Sequence, residues 1–237
     1  MKQLVYILFP ILIIGCGQSA QKIATEDQNV TEIELPFFNE PTFTPEWIDK
    51  ESPDYANIHT IPPFNLQNQN GEWIKQSDLD GKVYVANFFF SICPNVCPMM
   101  TGNLLILQEA FQSNPNVKIV SHTVMPWIDS VATLKEYEEF NGIDGSHWYL
   151  LTGEKREIYK LGRDAYYADE GFGKTVTDED DFLHTENFIL IDQKRRIRGV
   201  YNGTLQIEAK RLIEDINSLL EKASINPYKT SLKQKKA

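Results

Sequence analysis

Val83 to Phe90, VYVANFFF, is a near-continuous apolar run of strand length. A run with so little polar character suits a central strand covered by other elements on both faces. The period then changes. From Cys97 to Phe111, Met100, Leu104, Leu107 and Phe111 fall on one helical stripe. Val117 to Val124 reads as a second buried strand. Ser130 is a good N-cap for a helix through Asn141, with Val131, Leu134 and Tyr137 on its apolar face. Trp148 to Leu151 is a short strand, and a further helix follows from about Glu154.

The edges of the pattern complete the expected layout. Ile61 to Leu66, then Asn70-Gly71 and Trp73-Ile74, reads as a hairpin with an Asn-Gly turn. Asp164 to Leu183 is a long loop carrying Gly171, Gly173 and the acidic cluster Asp178 to Asp181. Loops of that length in a compact domain are often functional. Phe188 to Ile191 pairs with Ile197 to Tyr201 across a short turn. Leu205 to Leu220 is an amphipathic helix with Leu205, Leu212, Ile213, Ile216, Leu219 and Leu220 on its apolar side. The order ββ, βαβα, βα, ββα predicts an α/β layer structure. The Val83 and Val117 strands are expected to be parallel, joined by a right-handed crossover. A closing β-hairpin plus helix fits a thioredoxin-like fold, here with an N-terminal β-hairpin and an inserted loop before His184.

The amino terminus has a different character. Lys2 precedes the apolar run Leu4 to Ile14, which is too short for a membrane-spanning helix of about 20 residues. It reads as the h-region of an export signal. Ile13-Ile14-Gly15-Cys16 resembles a bacterial lipoprotein box, which implies cleavage before Cys16 and lipidation of that cysteine. Several acyl chains on one residue give stable membrane attachment. The expected organisation is a signal peptide over 1–15, a polar, acidic, proline-interrupted tether over 16–56, one folded domain over 57–223, and a basic tail over 224–237. Phe37-Phe38 and the 43–47 patch are the parts of the tether expected to dock on the domain. The location that follows is the bacterial cell envelope, lipid-anchored, with the domain on the extracytoplasmic (periplasmic) side.

Composition narrows the function. Apolar residues make up 42 % of the 237 and charged residues 24 %, as in a globular protein with a real core. A formal net charge of −10 argues against nucleic acid, whose phosphates need a basic footprint. With Cys16 set aside, two of the three cysteines remain, Cys93 and Cys97. Outside the cytoplasm such a pair oxidises unless something keeps it reduced.

Cys93-Pro94-Asn95-Val96-Cys97-Pro98 joins the end of the buried strand to the start of a helix. Four residues are one helical turn, so both sulfurs can face one side, with Cα atoms about 6 Å apart and within disulfide reach. A helix amino terminus also favours thiolate over thiol. The pair is therefore suited to soft-metal binding and to reversible disulfide formation. The spacing is not C-x-x-C, and the P-x-x-x-T-x-x-C pattern of peroxiredoxins is absent, with Ala86 and Phe90 at its Pro and Thr positions. Two thiolates leave a metal under-coordinated. Of the four histidines, His59 and His147 favour structural roles. His122, near the carboxyl end of a strand, and His184, at the end of the long loop, stay open as a third ligand.

Over roughly residues 59 to 222 the chain resembles the Sco/SenC family of thioredoxin-like copper proteins. The carrying motif is Cys93 to Pro98, close to C-P-D-V-C-P. Asp129-Ser130 with Leu134 to Tyr137 resembles the D-P-x-R-D-T…L-K-x-Y segment, Leu151-Thr152-Gly153 resembles L-T-G, and Leu183-His184-Thr185 resembles D-H-S. The resemblance implies copper ligands at Cys93, Cys97 and His184, and a redox-active pair able to form a Cys93–Cys97 disulfide. It also implies service as a metallochaperone to the copper-bearing subunit of cytochrome c oxidase, at its binuclear copper centre. Thiolates with imidazole suit Cu(I) and also hold Cu(II), with zinc the competitor. Met99 and Met125 stay open as thioether donors, whereas Met100 reads as helix core. The chain departs from the motifs at Asn95, Met125 and Leu183, each in place of an Asp, which lowers acidity around the site and is expected to tune metal affinity or cysteine potential. Because bound copper would be cargo, catalysis is not required of the protein. The competing expectations are a thiol–disulfide oxidoreductase that reduces or senses cysteines of an extracytoplasmic partner, and a scaffold with a purely structural disulfide.

Overall fold

The computed structural model describes residues 34–168, 183 and 185–224. Five strands form the central sheet: β3 (Val83–Phe89), β4 (Val117–Thr123), β5 (Trp148–Leu151), β6 (Asn187–Ile191) and β7 (Ile197–Asn202), in the order β5-β4-β3-β6-β7. β3 lies parallel to β4 and antiparallel to β6, β4 lies parallel to β5, and β6 is antiparallel to β7. A separate hairpin precedes the sheet, β1 (Asn65–Gln67) with β2 (Trp73–Lys75). The helices are α1 (Val96–Phe111), α2 (Val131–Asn141), α3 (Lys155–Lys160) and α4 (Gln206–Ser224). This is the α/β, thioredoxin-like layout that the alternation of strand and helix patterns predicts.

Every residue of β3 is buried, as a strand covered on both faces requires. Its side chains alternate between two cores. Val83, Val85 and Phe89 face α1, α2 and α4, together with Cys97, Met100, Leu104, Leu107, Leu134, Leu212 and Ile216. Tyr84, Ala86 and Phe88 face α3, the hairpin and Leu183. The α1 stripe read from the sequence is the buried one. Ser130 caps α2, its hydroxyl accepting from the Thr133 amide at 3.2 Å, and Gly142 ends that helix in the left-handed region at φ 68°.

Two expectations shift. β1 starts at Asn65 rather than Ile61, because Pro62 and Pro63 have no N–H to give a ladder. Ile61 is instead held by its amide donating to the Arg195 carbonyl at 2.8 Å. Leu205, expected on the apolar side of the last helix, precedes α4 and stays half-exposed, while Ala209, Leu212, Ile216 and Leu219 make the buried face.

α3 runs into a wider turn at Leu161–Ala165, with the Tyr166 amide reaching back to the Leu161 carbonyl. Gly162 within it has no side chain, and a Cβ there would meet Leu183 Cδ1 at 2.6 Å and Phe88 Cε1 at 3.0 Å. The glycine thus makes room for Leu183 to pack on β3.

The described part of the expected tether packs on the domain, as Phe37-Phe38 suggested. Phe37 is 2 % exposed. It lies edge-on to Tyr55 at 6.0 Å and beneath the Arg196 and Arg198 guanidiniums at 4.8 and 4.0 Å. The Phe38 amide donates to the Ile197 carbonyl, and Arg198 donates to the Pro36 carbonyl at 2.8 Å. Asp192 holds both arginines, accepting from Arg196 Nε at 2.9 Å and Arg198 Nη1 at 3.2 Å. Prolines and acidity dominate the local sequence pattern, and the partners at 192–198 are too far along the chain for that pattern to register. Replacing Phe37 by Ala removes a buried aromatic ring and both cation–π contacts. The expected cost is about 3 kcal/mol or more in urea unfolding, and a cost within the ±0.5 kcal/mol typical of surface changes would contradict this packing.

Candidate metal and thiol site

The site forms where β3 gives way to α1. The β3–β4 pairing extends one step past the strands, with the Val124 amide donating to the Phe89 carbonyl at 2.8 Å. The chain then turns, and the Cys93 amide donates to the Phe90 carbonyl at 3.2 Å. α1 begins at Val96, so Cys97 sits in its first turn. Cys93 is half-buried and Cys97 is 5 % exposed, and both are free thiols. The Cys97 amide donates to the Cys93 sulfur at 3.4 Å.

The two sulfurs differ in acidity. Burial pushes the Cys93 thiol up, but the amides of Asn95, Val96 and Cys97, all directed at its sulfur from the start of α1, outweigh that and hold it below the ordinary thiol value. Burial pushes the Cys97 thiol up to about 12, with the Cys93 sulfur and the Asp129 carboxylate adding to the shift and a backbone contact at Phe90 opposing it. The result is one accessible, readily ionised sulfur beside one buried, proton-holding sulfur. Tyr137 flanks them, sharing a hydrogen bond of 2.7 Å with Thr101 and packing on Phe89.

The structure brings Cys93 and Cys97 together. Cys16 and His184 lie outside the described residues. The neighbours of His184 are anchored: Leu183 is 1 % exposed in the Phe88 core, and Thr185 is 6 % exposed with its hydroxyl accepting from the Asn187 amide. The Leu183 departure from the motif therefore places an apolar anchor where the motif has a charge. Asn95 is exposed and makes no side-chain cap, and Met125 is half-buried against the Phe88 core. Met100 is core, as its stripe position predicts, while Met99 is exposed. Among the described residues no three His, Cys, Asp or Glu side chains stand together as a metal cage. As a donor set, two sulfurs one helical turn apart, one within reach of solvent, fit a soft cation.

His122 is not with the cysteines. It lies on the other face of β4, fully buried, stacked on Phe88 at 5.2 Å and edge-on to Phe64 at 5.7 Å. Neither ring nitrogen has a partner among the described residues. His59 takes the structural role expected of it, its Nε2 paired with the Ala165 carbonyl at 2.8 Å. Sequence reasoning gave no role to Asp129, although it falls in the quoted D-T segment. The residue is fully buried and accepts from the Ser91 amide and hydroxyl and from the Thr123 hydroxyl.

Comparison with known proteins bears on this geometry. The SCO1/SenC family model matches residues 53–221, which take in both cysteines and Asp129. The chain belongs to the SCO1/SenC family. A SCO1/SenC family lipoprotein from Bacillus anthracis is similar at 32 % identity and a TM-score of 0.59, over 68 % of this chain and 95 % of that one. BsSco, described as a member of the Sco family of cytochrome c oxidase assembly proteins and as containing a disulfide switch, is similar at 27 % identity and a TM-score of 0.58, over 68 % and 94 %. ScoI from Bradyrhizobium japonicum, solved with copper bound, is similar at 25 % identity and a TM-score of 0.54, over 68 % and 99 %. No described helix of this SCO1/SenC protein is long and apolar enough to cross a membrane.

Two measurements test the site's electrostatics. Iodoacetamide should alkylate Cys93 well before Cys97. The Cys93 rate should rise with pH to a midpoint below the ordinary thiol value, while Cys97 stays protected until the pH nears about 12. Equal labelling of the two, read by mass spectrometry, would contradict the asymmetry. For His122, burial pushes the imidazolium from 6.5 down to about 3. Below pH 6.5 the unfolded chain binds this proton and the folded chain does not until about pH 3, so stability falls as the pH falls through that window. The loss is about 1.4 kcal/mol per pH unit. His122→Leu should retain more of its neutral-pH stability at pH 4 than the parent does, and identical acid sensitivity of the two chains would refute this.

Proposed function

We propose that this chain is a copper-carrying protein that binds the metal through Cys93, Cys97 and His184, and passes it to the binuclear copper centre of cytochrome c oxidase or to a similar thiol-bearing client. The observation that carries the reading is the paired-sulfur site: an accessible Cys93 with a lowered pKa one turn from a buried Cys97, in a member of a family whose Bradyrhizobium relative holds copper. Copper here is cargo. It arrives at the half-buried Cys93 sulfur, the more accessible of the two, and engages Cys97 as that thiol gives up its proton, so loading releases protons and strengthens with pH. The neutral imidazole of His184 completes a three-ligand set suited to Cu(I) or Cu(II). Cys16 carries the lipid that keeps the domain at the extracytoplasmic face of the cell envelope.

A second reading has its own support. A sulfur with a lowered pKa next to one with a raised pKa is a starting arrangement suited to thiol–disulfide exchange, and BsSco is described as having a disulfide switch. The readings part at His184, which copper binding uses and disulfide exchange does not.

Anaerobic titration of Cu(I) into the reduced protein and its His184→Ala variant separates them. One-to-one binding that weakens at least about tenfold in the variant, or about 1.4 kcal/mol, is the expected result. Equal binding by both removes His184 from the site, and binding by neither selects the thiol–disulfide reading.

A further inference from the structure

The turn before Cys93 is tied to one distant residue. Ser91 lies two positions past Phe89, the last paired residue of β3, and its amide makes no ladder bond among the described residues. It donates instead to the Asp129 carboxylate, at 3.2 Å to one oxygen and 3.4 Å to the other, and the Ser91 hydroxyl donates to the same group. The Thr123 hydroxyl, at the end of β4, is a third donor.

Asp129 is itself firmly placed. Its amide donates to the Met125 carbonyl at 2.9 Å, and the next residue is the Ser130 cap of α2. The side chain is fully buried. A buried carboxylate is costly unless its oxygens are hydrogen-bonded, and the three neutral donors meet that need. Cys97 has independent support, since α1 is fixed by its own buried stripe. Cys93 lies before that helix: its own amide donates to the Phe90 carbonyl, its sulfur accepts from the Cys97 amide, and its backbone follows directly from Ser91-Ile92.

We propose that Asp129 is the positioning residue of the cysteine pair: its carboxylate fixes the Ser91-Ile92 turn, and through it the separation of the Cys93 and Cys97 sulfurs. The inference rests on the reading of Cys93 and Cys97 as the working pair. It predicts that the geometry of the pair, rather than the stability of the fold alone, depends on a side chain that touches neither sulfur. Asp129→Asn keeps the shape but replaces one acceptor oxygen by an NH2 donor, so on that side the bond to Ser91 or Thr123 must reverse or break and the charge-assisted contact is weakened.

The test is equilibration with the glutathione couple. The Cys93 and Cys97 thiols together give up two protons and two electrons to one glutathione disulfide. That disulfide leaves as two glutathione thiols, and the Cys93–Cys97 bond forms. Asp129→Asn should shift this constant about tenfold toward the dithiol, or about 30 mV for the two-electron couple. Ser91→Ala should shift it less in the same direction, and Ser91→Thr, which keeps the hydroxyl, should restore the parent value. Circular dichroism reports whether each variant is folded. A folded Asp129→Asn protein with the parent constant overturns the proposal and leaves Asp129 a stabilising contact. Should Asp129→Asn fail to fold, the serine pair decides, and equal constants for Ser91→Ala and Ser91→Thr overturn it. A parent protein that neither oxidises nor binds Cu(I) removes the working pair, and the proposal with it.

Discussion

Burial of β3 on both faces is the constraint from which the rest of the domain follows. Its seven residues, Val83–Phe89, have no solvent-facing side, so elements must cover the strand above and below. α1 and α4 meet one face and α3 with the hairpin the other. Because the strand ends deep in the domain, the turn after it emerges between these layers, and the first turn of α1 stands at its mouth. Cys93 and Cys97 occupy that mouth. The chemistry therefore sits at the carboxyl end of a central strand, where α/β sheets commonly gather their sites.

The placement also explains why two cysteines in one short motif differ so much. Cys97 points down α1 into the core it helps to build, beside Met100 and Leu104, and low dielectric favours its neutral form. Cys93 lies outside the helix, where the unpaired amides of the first turn converge on its sulfur. The same helix start thus raises the pKa of one sulfur by burial and lowers that of the other by hydrogen bonding. No charged side chain is needed at Asn95 for that division, which is why a motif Asp can be absent there without dissolving the asymmetry.

Much of this is legible in the chain. The apolar run of β3, the α1 stripe and the Ser130 cap are local patterns, and local patterns survive into the structure. The cysteine pair is equally local, one helical turn long. What escapes local reading is pairing across long separations: Phe37 beneath Arg196 and Arg198, Leu183 against Gly162 and Phe88, and Asp129 reaching back to Ser91. An aspartate before a serine cap gives no sign, by itself, that its side chain closes a turn thirty-eight positions earlier. His122 shows the opposite limit. Its position near a strand end suggested a ligand, yet the alternation of β4 turns it to the face away from the sulfurs, into an aromatic box.

Ala168 and Leu183 are both buried in the Phe88 core, so both of these points of the chain are pinned by packing. Closing a longer loop between fixed ends costs little, about 0.6 kcal/mol for each doubling of its length. A change in the length of chain joining two such anchors would therefore cost the fold little. Divergence among SCO1/SenC proteins should therefore concentrate between these two anchors, while the anchors themselves stay apolar.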